Sequence, residues 1–138
     1  MLTIRSSQLE ALRLSRVPPY REKVREALFD LITPQRLLLA HEQLDRVIDL
    51  GMLRAKKYGF STEKDVFNLI TAMVVFGTDF DTGPLKHHFT RSLNTSSRRL
   101  SAFRADDLYK EVRYRLDQNP DFKVSDLKFA SPADANNG

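Results

Sequence analysis

Asp79, Asp81, His87 and His88 place two carboxylates and two imidazoles within ten residues, and these are the ligand types that hold a divalent metal. Their spacing opposes that use. Adjacent histidines on a helix diverge by about 100°, so His87 and His88 cannot both face one ion without distorting the backbone. Asp79-x-Asp81 has the form of a calcium-loop start, yet the sixth position is Pro84 where a glycine is needed, and the twelfth is Thr90 where a bidentate glutamate is needed. The acids are expected to shape a turn, and no metal or other cofactor is assigned. His41, beside Glu42 on a predicted helix, reads as a surface histidine. The chain has no Gly-x-Ser-x-Gly elbow, no phosphate-cradling glycine loop and no cysteine to act as a thiolate, so the expectation is a non-enzyme with no catalytic residue.

Binding chemistry is better represented. Arg91, Arg98, Arg99 and Arg104 accompany Phe103 in a run without acids from Lys86 to Ala105. Cations interleaved with an aromatic can meet a phosphate backbone or an acidic protein surface, although a basic run is also what an ordinary solvated face looks like. Phe122 and Phe129, in the C-terminal tail, add apolar contacts that can dock on the domain itself or on a partner. The candidate partner-binding set is therefore Arg91, Arg98, Arg99, Phe103, Arg104, Phe122 and Phe129. A DNA-reading helix-turn-helix is suggested by Ala55-x-x-x-Gly59 followed at once by a new helix. It fails downstream, where Asp65 and Asn68 occupy positions that such a unit needs apolar.

The elements that must position these residues are helical. Arg54–Asp81 holds the clearest plan: Lys56 and Lys57 suit the end of a helix, and Gly59 can adopt the left-handed conformation that stops it. Ser61 or Thr62 caps a second helix with Glu63 and Asp65 in its first turn. Val66, Leu69, Ile70, Met73 and Val74 then follow helical spacing, while Phe67, Val75 and Phe76 widen the stripe until the helix must lie inside, ending at Gly77. Valine at Gly59 is expected to destabilise the domain. Upstream, Ser6 or Ser7 caps a helix to about Leu14, Pro18-Pro19 breaks the chain, and a helix runs from about Tyr20 to Ile32. Thr33-Pro34 reads as an N-cap with proline at the first helical position, starting one long helix, or two joined near Leu39–Glu42, up to Gly59. Gly51 on its apolar stripe permits a close helix crossing. Beyond the turn at 78–84, a short helix at Leu85–Leu93 and a charged helix to about Asp117 follow, the latter starting between Ser96 and Arg104 with Ala105, Leu108, Tyr109, Val112 and Leu116 inside.

The expected fold class is all-α: a compact multi-helix domain around a buried central helix at about 62–76, with a short N-terminal arm and a flexible C-terminal tail. Residues 1–118 form the domain and 119–138 a tail, partly disordered. The length of 138 residues fits one domain without staples. The absence of cysteine fits a reducing compartment, and the start has no secretory pattern, so the expected location is cytoplasmic with no membrane contact. A formal charge of +4 permits an acidic partner but does not require nucleic acid.

The opening Met1-x-x-Ile4-x-x-x-Gln8-x-x-x-Leu12, the hinge Arg54-Ala55-x-x-Tyr58-Gly59-Phe60, the capped apolar helix and the turn Gly77-x-Asp79-Phe80-Asp81 together resemble small bacterial proteins associated with type VI secretion effector and spike genes. The resemblance covers about residues 1–81 and stops at Pro84. It implies a non-catalytic accessory protein, an adaptor or co-chaperone that binds a secreted toxin, the toxin's chaperone or a spike component, with oligomerisation open. An immunity protein that neutralises a toxin and a helical nucleic-acid-binding domain are the alternatives.

Overall fold

A computed structural model describes residues 18–95, 99–125 and 127. The expected helix at Ser6 or Ser7 to Leu14, Arg98 and Phe129 lie outside the described residues, as does most of the expected disordered tail. The described chain is all-α: α1 (Pro18–Leu31), α2 (His41–Lys57), α3 (Glu63–Phe76), a 3₁₀ turn (Lys86–Phe89), α4 (Thr90–Leu93) and α5 (Ser101–Gln118). Helix α3 lies in the middle, packed most extensively on α5 and next on α2, while α1 packs on α2 and reaches the start of α3 through Lys23 and Glu63.

The helix expected from about Tyr20 begins at Pro18, where a missing N–H interrupts no helical hydrogen bond. Tyr20, Val24, Leu28 and Ile32 recur every fourth residue and are buried. On the other flank Arg21 donates to both carboxylate oxygens of Asp49, at 3.2 and 2.7 Å, and Arg25 reaches Asp45 at 2.6 Å. These pairs set the register of α1 on α2.

The expected helix start at Thr33-Pro34 is not formed. The Thr33 carbonyl accepts from the Arg36 and Leu37 amides, closing one turn, and the chain then runs extended until α2 begins at His41. Long-range bonds explain the difference. The Leu38 amide donates to the Val124 carbonyl and the Val124 amide to the Arg36 carbonyl, each at 2.7 Å, making an isolated parallel bridge between Leu37 and Val124. Arg36 reinforces it by donating to the carbonyls of Leu116, Asn119 and Phe122. Leu37 and Leu39 are buried and Leu38 is exposed, the alternation of an extended segment. Tertiary pairing here overrides a local helix signal.

The hinge forms as its sequence dictates. Gly59 has φ +73°, the Phe60 amide donates to the Ala55 carbonyl at 2.9 Å and the Gly59 amide to that of Lys56 at 3.4 Å. This is the Schellman arrangement, which satisfies the last carbonyls of α2. Thr62, of the two candidate caps, is the one used: its Oγ1 accepts from the Asp65 amide at 3.0 Å. Between them α2 and α3 cross closely, since a Cβ built on Gly51 would lie 2.4 Å from Ile70 Cγ1. Gly77, at φ +105° and ψ 150°, ends α3 in a conformation open essentially to glycine alone.

Helix α5 starts at Ser101 and buries Ala105, Leu108, Val112 and Leu116 against α3. Asn68 of α3 donates to the Ala105 carbonyl at 3.2 Å, which satisfies a side chain that is otherwise enclosed. The packed body does not stop at residue 118. Val124 and Leu127 belong to the buried core and Phe122 packs against it, so the domain extends into the segment assigned to the tail.

Candidate functional site

The hinge between α2 and α3 draws in three other segments, and the chemistry-bearing residues settle around it. Asp81, buried at 5% exposure, accepts from the Tyr58 hydroxyl at 2.5 Å and from Arg54 Nη1 at 3.0 Å. Arg54 also donates to the Thr78 carbonyl, tying the turn after α3 back to the last turn of α2. Burial, and then donation to Asp81, raise the Tyr58 phenol above its ordinary pKa, so it stays protonated as a donor. Asp79 points elsewhere. It is exposed, and its carbonyl accepts from the Thr82 and Gly83 amides, closing the turn. The turn is closed by the Asp79 backbone carbonyl, whereas the Asp81 carboxylate, expected to bond local amides, reaches Tyr58 and Arg54 on α2 instead.

The two histidines diverge from the acids. His88 Nε2 lies 2.7 Å from Glu111 Oε2 on α5, and His87 is exposed. Among the described residues, no group of three or more His, Asp or Glu side chains is disposed to hold a metal. His41 is exposed at the first position of α2.

Arg104 is where the expected partner surface changes most. It is only 5% exposed, and its Nη2 donates to the Tyr58 carbonyl at 2.8 Å while Nη1 donates to the Ser92 carbonyl at 3.2 Å. The guanidinium lies 5.0 Å from the Phe60 ring centre, a cation–π stack inside the protein. Burial lowers its pKa and the nearby Asp65 carboxylate opposes that. Arg104 thus joins α5, α4 and the hinge from within, and it leaves the partner-facing set.

The remaining candidates divide. Arg99 forms an ion pair with Asp107 at 2.7 Å. Phe122 is half-buried, with the Arg115 guanidinium 6.0 Å from its ring centre and 5.1 Å from that of Phe76, so Phe122 docks on its own domain. Arg91 is exposed on α4. Phe103 is 55% exposed and lies at the start of α5 beside Leu100, which is 66% exposed. The structure adds Tyr114 on the same helix, 65% exposed, and Leu53 on α2, 66% exposed. Leu100 and Tyr114 escaped the sequence reading because attention to the arginines hid the spacing: positions 100, 103, 107, 110 and 114 step by three and four residues along the side opposite the buried stripe. On α5 the exposed apolar side chains stand on either side of a charged pair, Asp107 and Lys110.

No described helix is long and apolar enough to cross a membrane. No family model, curated protein or solved structure matches this chain.

Proposed function

We propose that this chain is a protein-binding accessory module, and that its partner is a type VI secretion toxin, the toxin's dedicated chaperone or a spike component. The observation that supports binding is the division of side chains between interior and surface. Arg54, Tyr58, Asp81 and Arg104 spend their hydrogen-bonding capacity on holding helices together, whereas Leu53, Leu100, Phe103 and Tyr114 face solvent. Large exposed apolar side chains mark interaction surfaces more readily than reaction centres. The secretion context is supported by the resemblance of residues 1–81 alone. A nucleic-acid reading is weakened because Arg104 is internal and Arg99 is paired with an acid, which thins the basic stripe.

The test is affinity purification of the tagged chain coexpressed with the products of its neighbouring genes, followed by Leu53→Glu in any complex obtained. Recovery of a toxin, chaperone or spike component, reduced by Leu53→Glu, supports the assignment. Failure to retain any of them, singly or together, refutes it.

A further inference from the structure

Helix α5 carries an outer seam at Leu100, Phe103, Asp107, Lys110, Tyr114 and Asp117, alternating three- and four-residue steps over the length of the helix. That is the spacing with which one helix meets another side by side. The seam lies opposite Ala105, Leu108, Val112 and Leu116, so packing the inner face on α3 necessarily turns it outward. Its order of residue types is the informative part. Aromatics stand toward both ends, and an acid and a base stand in the middle.

We infer that this seam is a docking surface for a second copy of the same chain, with the two α5 helices antiparallel. A two-fold axis passing between positions 108 and 109 sets Phe103 against Tyr114 of the second copy and Asp107 against Lys110 of the second copy. The symmetry makes each contact occur twice. A parallel pairing sets Asp107 against Asp107 and Lys110 against Lys110, so charge selects the antiparallel arrangement. Lys110 is exposed and has no ion-pair partner among the described residues, while Asp107 engages Arg99 through Oδ2 at 2.7 Å, leaving Oδ1 for the lysine. On one flank Asp106 comes opposite Arg113 of the second copy, again acid to base. Their contacts within one copy are long and exposed, Lys64–Asp106 at 3.5 Å and Arg113–Asp117 at 3.7 Å, and release readily.

One helix from each copy, about 27 Å long at 1.5 Å per residue, gives a contact below the size of permanent dimers. The association is therefore expected to be weak, with a dissociation constant on the order of micromolar or above. It takes up Leu100, Phe103 and Tyr114 and leaves Leu53 on α2 for a different protein, so the secretion reading is tested at Leu53 and the self-association at Lys110.

Sedimentation equilibrium of the purified full-length chain, from about 5 to 500 µM to bracket that constant, tests the inference. A monomer–dimer equilibrium is expected. Lys110→Glu, which sets glutamate against Asp107 twice, weakens it at least about tenfold, and adding Asp107→Lys to that variant restores it. Far-UV circular dichroism and melting check that each variant folds, which matters most for Asp107→Lys because it also removes the ion pair with Arg99. A monomer at every concentration overturns the inference and assigns the seam to a different protein. A dimer unaffected by Lys110→Glu, or not restored by the double reversal, also overturns it by placing the contact elsewhere.

Discussion

Phe103 and Arg104 are neighbours in the chain and occupy opposite environments. The aromatic stands 55% exposed while the cation is 5% exposed, the reverse of what hydropathy ranks. The inner face of α5 can accept Arg104 because two backbone carbonyls and an aromatic ring await it, at Tyr58, Ser92 and Phe60. The bonds from Nη1 and Nη2 and the aromatic stack offset the burial of the charge, while Nε is enclosed without a partner. The outer face exposes Phe103 because α3 already occupies the inner side, and nothing in the fold requires an apolar residue there. Helical phase, not hydropathy, thus decides which of the two side chains is enclosed.

Substitutions can break this contrast in order of cost. Arg104→Ala is expected to be the most damaging, at about 3 kcal/mol, because it strands two buried carbonyl oxygens and leaves a void against Phe60. Chemical denaturation measures it, and a loss under about 1 kcal/mol denies Arg104 its role as an internal tie. Gly59→Val imposes a β-branched side chain at φ +73° with its Cβ 3.4 Å from Arg104 Nη2. A loss of about 2 kcal/mol is expected there, visible as a lower Tm. Tyr58→Phe removes the donor to Asp81 and is expected to cost about 1 kcal/mol.

The same phenol has a pH signature. Its folded pKa is raised above the unfolded value of about 10, so its contribution is complete below that pH and is lost as the folded group ionises at higher pH. Tyr20 is shifted in the same direction, by burial and then by Glu63, so Tyr58→Phe should reduce the alkaline loss of stability without abolishing it. A stability–pH titration from neutral to strongly alkaline compares the two chains. At the far end of the scale, Phe103→Ser is expected to change monomer stability by no more than about 0.5 kcal/mol, as exposed positions do. A larger loss in dilute protein shows that Phe103 packs on its own domain.

Local chemistry made much of this fold legible. Gly59, Thr62 and the apolar run from Val66 announce the hinge and central helix through short-range rules of capping and period, and Gly51 announces the close crossing. What escaped depends on segments far apart in the chain. Thr33-Pro34 carries a sound start signal, but the backbone at 36–38 is claimed by Val124, some 86 positions later. The triplet Leu37-Leu38-Leu39 hides its alternate burial because every side chain in it is apolar. Arg104 had a readable cue in Leu108 and Val112, spaced four apart behind it on the buried side of α5. A basic run attracts a surface reading before its helical phase is counted, and that order concealed both the interior arginine and the exterior seam.

The bridge between Leu37 and Val124 also dictates when the molecule can be finished. Closing a loop of that length carries an entropic cost that neighbouring-helix contacts do not share. During synthesis α1, α2 and α3 emerge first, but Arg36 has no carbonyls to grip until residues 116–122 exist. The clasp is thus a completion step: a chain lacking residues 119–127 has neither the Val124 backbone nor the Asn119 and Phe122 carbonyls that fasten the connection before α2.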